Sequence, residues 1–205
     1  MTPAIDVVFF DIGGVLGTNG WDREQRAEAI AHFGLDEANF QYRHEELVGA
    51  LEAGVISLDE YLDVTVFDAP RTFDRQAFKR YMFSLSKPWP DSVATAKAIA
   101  QRGGVRLMTL NNEAEELNAY RIEHFGLREI FAAFFSSCWL GARKPTRDIY
   151  HRAVGMAQVD PARALMIDDR DQNLAPARAL GMRTILFQGA AALRKEIEAL
   201  GLSGR

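Results

Sequence analysis

The first apolar stretch of the chain, together with the aspartate that ends it, constrains the fold most. Residues 7–10 are Val-Val-Phe-Phe, and Asp11 and the pair Gly13 and Gly14 follow closely. An apolar run of this length, bounded by glycine, predicts a strand that is buried on both faces. Such a strand places the Asp11 carboxylate at its carboxyl end, where glycine lets the backbone approach a ligand closely. The sequence therefore predicts a nucleophile or a metal ligand at the edge of a sheet.

The composition narrows the class of protein and its partners. The chain has 205 residues, of which 48% are hydrophobic and 25% charged, as in a globular protein of one domain with an insertion. A net charge of −4 disfavours nucleic-acid binding, and the single cysteine, Cys138, excludes an internal disulfide framework. No signal-peptide pattern is evident, and no stretch reaches the ~20 apolar residues of a membrane span. We therefore expect a cytoplasmic protein with no nucleic-acid or membrane partner, either a monomer or a homodimer.

Short apolar runs recur along the chain and predict further buried strands. They lie at residues 105–110, 131–136 and 164–167, with a further candidate at 184–187. Helical patterns separate most of them, and this alternation indicates an α/β fold with a doubly wound parallel sheet. In such sheets, ligands bind beyond the carboxyl ends of the strands. Polar residues follow these predicted ends: Asn111 and Asn112, the segment around Lys144, and Asp168 and Asp169.

The segment between the first two predicted strands has a different pattern. Residues 18–88 contain no convincing buried strand, and their apolar residues recur at helical spacing. Ser57 and Glu60 form the signature of a capping box at one helix start. The spacing predicts helices over four segments: 23–33, 38–53, 57–64 and 73–85. We therefore predict a core of residues 1–17 and 89–205 and a helical insertion of residues 18–88, placed over the carboxyl edge of the sheet.

The acidic residues at the predicted strand ends suit phosphoryl chemistry with a metal. Asp11 can act as a nucleophile through one carboxylate oxygen and bind Mg²⁺ through the other. Asp168 and Asp169 repel each other at the end of a buried strand unless a cation lies nearby. The plainer interpretations are a loop carboxylate that caps a backbone amide for Asp11 and an N-cap for Asp169. Three carboxylates at one sheet edge favour the metal site.

Two further segments carry groups that can neutralise or bind phosphate. Lys144 precedes Pro145, which suits the first turn of a helix, so the lysine can reach back to the strand edge. Asn111 and Asn112 end a predicted strand directly before a helix start, where amide groups can cradle phosphate. A solvated surface lysine and simple helix capping by Asn112 are the structural alternatives. Arg143 is expected at the surface or facing the insertion.

Four segments, taken in order, resemble the motifs of the haloacid dehalogenase-like hydrolase superfamily. They are Phe-Phe-Asp-Ile-Gly-Gly-Val-Leu at residues 9–16, Thr-Leu-Asn-Asn at 109–112, Gly-Ala-Arg-Lys-Pro at 141–145, and Ile-Asp-Asp-Arg-Asp-Gln-Asn at 167–173. The resemblance is strongest to sugar-phosphate phosphatases of the bacterial glucose-1-phosphate phosphatase type and to the phosphatase domain of soluble epoxide hydrolase. It implies a Rossmann-like core, a C1-type cap in the place of the insertion, Mg²⁺ dependence and a phosphoaspartyl intermediate.

The resemblance also implies a role for each matching residue. Asp11 corresponds to the nucleophile, and Lys144 corresponds to the lysine that stabilises both the nucleophile and the phosphoryl oxygens. Asp169 corresponds to the acidic metal ligand, with Asp168 beside it in support. Gly13 corresponds to a position that supplies a metal ligand through its backbone carbonyl.

Two positions depart from the pattern of the superfamily. Gly13 stands in place of the general acid/base aspartate, whose help is typically worth about 10²–10⁴-fold in rate. The glucose-1-phosphate phosphatase-like branch also has a non-acidic residue there, so the departure does not by itself imply inactivity. Asn111 stands in place of a serine or threonine, although its amide, with that of Asn112, can still bind the substrate phosphate.

Three functions are compatible with these residues. The first is a Mg²⁺-dependent phosphatase of a small phosphorylated metabolite, such as a sugar phosphate, with Asp11 as nucleophile. The second is a 2-haloacid dehalogenase, whose nucleophile loop also lacks the second acid but whose chemistry needs no metal. The third is a catalytically impaired relative that binds a phosphorylated ligand. His44, Glu45 and His124 are candidates for the group that activates water in place of the missing general acid/base, although a surface or structural position is the favoured interpretation of each.

Overall fold

Five parallel strands form one sheet in the part of the chain that the computed structural model describes, residues 4–202. The strands are β1 Val7–Phe10, β2 Arg106–Asn111, β3 Ala133–Ser136, β4 Ala164–Asp168 and β5 Arg183–Leu186. Across the sheet they run in the order β3-β2-β1-β4-β5, so the chain crosses from one side of β1 to the other between β3 and β4. The predicted α/β class and parallel sheet are confirmed, and the fifth strand is present.

Ten α-helices accompany this sheet within residues 4–202. They are α1 Arg23–Phe33, α2 Glu37–Glu52, α3 Leu58–Thr65, α4 Arg75–Ser84, α5 Pro90–Arg102, α6 Glu115–His124, α7 Ser137–Leu140, α8 Arg147–Ala157, α9 Asp171–Ala179 and α10 Ala190–Ala199. The four helices predicted before the second strand are observed, with ends displaced by at most two residues. None of the ten helices is both long and apolar enough to cross a membrane.

The central strand β1 is buried on both faces. Val7 and Phe9 pack into an apolar layer with residues of α8 and α9, whereas Val8 and Phe10 pack into the opposite layer with residues of α5 and α10. All four side chains are fully buried. This explains why the run is continuously apolar, because alternate side chains of a strand point to opposite faces.

The register of the sheet brings the functional positions to one edge. Phe10 pairs with Thr109 of β2 on one side and with Ile167 of β4 on the other. The backbone N–H of Asp11 then donates to the carbonyl of Ile167 at 2.9 Å. Because the strands are parallel, the residues that follow them leave the sheet on the same side, and Asp11 emerges next to Asp168.

The helices α1–α4 lie between β1 and α5 and share an apolar cluster of their own, built around Trp21, Phe40, Tyr61 and Phe78. The same cluster includes Leu117 of α6, so the insertion packs against the helix that follows β2. The predicted capping box at the start of α3 is present in both of its hydrogen bonds. The division of the chain into a core and a cap at residues 18 and 88 stays a prediction.

Candidate active site

A buried cluster of charges lies at the carboxyl edge of the sheet. The Nζ of Lys144 lies 2.9 Å from Oδ2 of Asp11 and 2.6 Å from Oδ2 of Asp168. The other oxygen of Asp11 accepts a hydrogen bond from the backbone N–H of Ile12 at 2.8 Å. The side-chain amide of Asn173 donates to the Asp168 carboxylate. Lys144 is only 4% exposed, which excludes the alternative of a solvated surface lysine.

The cluster carries more negative than positive charge. Asp11, Asp168 and Asp169 offer carboxylate oxygens that all lie within 4.8 Å of one another, and one ammonium faces them. Burial raises the pKa of Asp11 to about 7; the Lys144 charge opposes this shift and Asp168 adds to it. Burial, and then the Asp168 charge, also raise the pKa of Asp169. A set of carboxylate oxygens with surplus negative charge fits a hard divalent cation such as Mg²⁺.

The glycine loop after Asp11 is shaped around one of these carboxylates. Gly14 has a φ of +71°, and a Cβ placed on it would lie 2.2 Å from Oδ2 of Asp169. Only glycine tolerates both the left-handed backbone and this close approach. Gly13 lines the cavity beside Asp11 and Asp169, and its carbonyl as a metal ligand stays a prediction.

The two asparagines predicted to bind phosphate are placed differently. Asn112 lines the cavity, but its side chain donates to the carbonyl of Lys144 and accepts from the Lys144 N–H, both at 2.8 Å. It thus positions the lysine loop. Asn111 is the last residue of β2 and is 1% exposed; its Nδ2 donates to Oδ1 of Asn118 on α6 at 2.9 Å. Asn111 is not among the residues that line the cavity, and its amide is directed to Asn118 of α6.

A cavity of about 350 Å³ joins these groups to the insertion. Asp11, Lys144 and Asp169 line it from the sheet edge, and Trp21 and His44 line it from the insertion. It is therefore enclosed by residues of both parts of the chain.

Comparison with known proteins assigns the family. The family model of haloacid dehalogenase-like hydrolases matches residues 5–181. The chain belongs to this family. The match spans every segment in which the sequence resembles the superfamily motifs, so the predicted family is confirmed.

The chain is similar to several curated members of the haloacid dehalogenase-like hydrolases. It is 24% identical to bifunctional epoxide hydrolase 2 of Sus scrofa, over 95% of this chain and 38% of that protein. It is 23% identical to the phosphoglycolate phosphatase of Aquifex aeolicus, over 88% of this chain and 83% of that protein. The chain spans well under half of the length of several curated relatives that it matches, the pig protein among them.

A solved structure of the family shares the fold. It is an enzyme of this family from Bacteroides thetaiotaomicron in complex with magnesium and inorganic phosphate, with a TM-score of 0.73 and 20% identity. The similarity covers 89% of this chain and 93% of that one.

Two ion pairs in the lining of the cavity connect loops at the sheet edge to the insertion. Arg143, in the loop before Lys144, contacts Glu52 of α2 at 2.6 Å, which confirms that it faces the insertion. Arg170, directly after the acidic pair, contacts Asp22 at 2.7 Å. Each pair joins a loop at the sheet edge to the insertion.

Of the three candidates for the missing general acid/base, one lines the cavity. His44 lines it, and its Nδ1 lies 2.8 Å from the hydroxyl of Tyr61. Burial lowers the pKa of His44 to about 4, and the Arg26 charge adds to this shift, so the ring is neutral at neutral pH. Glu45 and His124 are exposed and do not line the cavity.

Sequence reasoning missed a buried ion pair in the wall of this cavity. Glu113 and Arg121 are 4% and 1% exposed, and Nη1 of Arg121 donates to Oε2 of Glu113 at 2.7 Å. A second nitrogen of Arg121, Nη2, donates to the carbonyl of Thr18 at 2.5 Å. The spacing of apolar residues could have indicated that Arg121 is buried. Arg121 lies four residues from each of Leu117 and Phe125, on the apolar side of a helix, where an unpaired charge is costly.

Proposed function

We propose that this chain is a Mg²⁺-dependent phosphatase that hydrolyses a small phosphorylated metabolite through an aspartyl-phosphate on Asp11. The observation that carries the proposal is the position of one ammonium, that of Lys144, between Asp11 and Asp168, with Asp169 close by. A 2-haloacid dehalogenase needs no metal, and three neighbouring carboxylates suit its chemistry poorly.

The metal would be held by Asp11, Asp169 and the carbonyl of Gly13, with Asp168 in support. Their oxygens are the ligands that Mg²⁺ prefers, and the surplus charge of the cluster fits a divalent cation. When bound, the ion would neutralise charge on the carboxylates and on the phosphate oxygens. It would also favour the ionised form of Asp11, whose pKa burial raises to about 7.

The residues of the chain itself prepare the attack on phosphorus. The Ile12 N–H and the Lys144 ammonium each hold one oxygen of Asp11, which fixes the plane of the carboxylate. Lys144 in turn is oriented by Asp168 and by its two backbone contacts with Asn112. The lysine charge then stabilises the negative charge that develops on the phosphoryl oxygens during transfer. Water hydrolyses the resulting acyl phosphate.

The cavity supports a small polar metabolite as substrate. Its volume of about 350 Å³ is near the lower end of the range for ligand pockets. Its wall also carries polar and charged side chains outside the cluster: Asn19, Asp22, Arg26, Glu52 and Gln172. Such groups suit hydroxyl or carboxylate substituents, as in a sugar phosphate or the phosphoglycolate named for the Aquifex relative. A cytoplasmic location and a monomeric or homodimeric state stay predictions from the sequence.

The test is phosphate release from p-nitrophenyl phosphate and from a panel of phosphorylated metabolites. We expect activity that requires Mg²⁺, is lost in EDTA and falls to background in the variant Asp11→Asn. A matched control is Asp148→Asn, which removes an exposed aspartate at the start of α8 and should retain full activity.

Three results would contradict the proposal. Full activity of Asp11→Asn would exclude this residue as the nucleophile. Chloride release from 2-chloropropionate in EDTA would indicate a haloacid dehalogenase. Stoichiometric phosphorylation of Asp11 without turnover would indicate a protein that binds phosphorylated ligands but no longer hydrolyses them.

A further inference from the structure

Gly13, which stands where the superfamily has its general acid/base aspartate, faces the charged side chain of Arg121 on α6. A Cβ placed on Gly13 would lie 3.2 Å from Oδ1 of Asn19 and 3.7 Å from Nη1 of Arg121. Gly13 does not adopt the left-handed region, so its backbone would accept a side chain. The space beside this position therefore opens onto the guanidinium of Arg121, which is carried by α6.

A second glycine, Gly20, lets the carboxylate of Glu113, the partner of Arg121, approach the backbone closely. A Cβ on Gly20 would lie 1.9 Å from Oε2 of Glu113 and 2.9 Å from Nη1 of Arg121. The Glu113 carboxylate therefore occupies volume that any side chain at position 20 would need. Gly13 and Gly20 together allow the pair of Glu113 and Arg121 to lie against the nucleophile loop, and both members of the pair line the cavity that holds Asp11.

The surroundings of Glu113 favour a carboxyl group that holds a proton near neutral pH. Burial raises its pKa to about 7, and the charge of Glu52 on α2 adds to this. The Arg121 charge and the hydrogen bond from the Ala114 N–H oppose the shift. A general acid works best when its pKa lies near the operating pH.

We propose that Glu113 is the general acid and base of this active site and takes the part that a carboxylate at position 13 would otherwise play. The proposal rests on the phosphatase function proposed above. As an oxygen of Asp11 bonds to phosphorus and the bond from phosphorus to the leaving oxygen breaks, the Glu113 carboxyl transfers its proton to that leaving oxygen. In the second half, the Glu113 carboxylate accepts a proton from the water whose oxygen bonds to phosphorus, and Asp11 leaves as a carboxylate. Arg121 positions Glu113 and holds it in the cavity wall.

The test compares leaving groups, because a general acid matters most where the leaving oxygen is basic. The probes are p-nitrophenyl phosphate, whose leaving group departs readily, and phenyl phosphate and glycerol phosphate, whose leaving groups need a proton. For Glu113→Gln we expect kcat/KM to fall by about 10²–10⁴-fold on phenyl and glycerol phosphates but by less than about tenfold on p-nitrophenyl phosphate. The falling limb of the pH profile of kcat/KM should change with it, because the proton donor acts only in its protonated form.

The matched control is Glu115→Gln, two residues along the chain on the exposed side of α6, which should leave all three activities unchanged. The rescue variant is Gly13→Asp in the Glu113→Gln background, which restores a carboxyl group to the loop and should recover most of the activity on phenyl phosphate. Because Glu113→Gln leaves Arg121 buried without a charged partner, it can fail to fold. The double variant Glu113→Gln/Arg121→Met removes both charges and should fold, with the same loss on poor leaving groups.

The outcomes separate this proposal from the function on which it rests. If wild type has no Mg²⁺-dependent activity on p-nitrophenyl phosphate, the phosphatase function itself fails. If wild type is active and Glu113→Gln, or the double variant, loses the same factor on all three probes, Glu113 has a structural role and the proposal is overturned. No loss on any probe, or no recovery with Gly13→Asp, would also overturn it.

Discussion

The variant Asp11→Asn should be inactive yet more stable than wild type at pH 8 when no metal is present. The pKa of Asp11 is raised from 3.8 to about 7 in the folded protein, chiefly by burial. At about 1.4 kcal/mol per pKa unit, the ionised carboxylate lowers the free energy of unfolding by up to about 4 kcal/mol above pH 7. Asparagine cannot ionise, so it avoids this cost, although it loses the charged hydrogen bond with Lys144.

The gain in stability of Asp11→Asn over wild type should increase as the pH rises. Well below pH 3.8, Asp11 is protonated in both folded and unfolded chains, and the substitution should change little. Between pH 4 and pH 7 the folded state keeps a proton that the unfolded chain has lost, so wild-type stability falls as pH rises, at up to about 1.4 kcal/mol per unit. The difference between variant and wild type therefore grows over this window and levels off above it.

Urea denaturation in EDTA from pH 4.5 to pH 8.5, followed by the fluorescence of the three tryptophans, measures this difference. In thermal unfolding at pH 8, a gain of about 4 kcal/mol would raise Tm by about 10 °C in a chain of this size. The control Asp148→Asn should stay within about 0.5 kcal/mol of wild type. Added Mg²⁺ should stabilise wild type and narrow the gap. If Asp11→Asn is less stable than wild type at pH 8 in EDTA, the ionised Asp11 carboxylate does not destabilise the folded protein, and the reasoning from buried surplus charge is refuted.

Three further predictions test the loop, the insertion and the contact between them. Gly14→Ala should cost at least about 1–2 kcal/mol, because it forces an L residue into a left-handed conformation against Asp169, and it should weaken Mg²⁺ binding measured by titration calorimetry. Tyr61→Phe should cost about 1–3 kcal/mol in urea denaturation, because it leaves two buried hydrogen-bonding groups without their shared partner. Arg143→Ala should cost less than about 1 kcal/mol, because its pair with Glu52 is partly exposed, and the same measurement in 1 M salt should find an even smaller cost.

The sheet and its charge cluster could be predicted because they depend on local patterns and on one geometric rule. The runs before Asp11 and Asp168 are apolar and short, which identifies buried strands. Parallel strands present their carboxyl ends at one edge, so residues more than 150 positions apart in sequence are brought together. Lys144 follows from the same rule, since the short helix α7 and the lysine loop follow the third strand at this edge.

Two features of the site could not be predicted from the sequence. One is the direction of a side chain at the end of a strand, and the other is a close contact between residues far apart in the chain. Asn111 is the last residue of β2, and its side-chain amide donates to Asn118 of α6. No local pattern distinguishes the last residue of a strand from the first residue of the loop. The close approach of Glu113 to Gly20 joins the loop after β2 to the start of the insertion, and a single glycine gives no sequence pattern that predicts it.

The buried pair of Glu113 and Arg121 needs an explanation other than stability. Replacement of a buried ion pair by apolar residues is often neutral or stabilising, because desolvation offsets the attraction of the charges. Arg121 also has one nitrogen, Nε, without a hydrogen-bond partner, so the arrangement is costly as a purely structural device. The pair nevertheless borders the cavity beside the nucleophile loop, which has glycine at positions 13 and 14 and no second acid besides Asp11. A catalytic carboxyl group supplied from the loop between β2 and α6 accounts for three features at once: the missing side chain at position 13, the close approach at position 20 and a charge pair buried where an apolar contact would cost less.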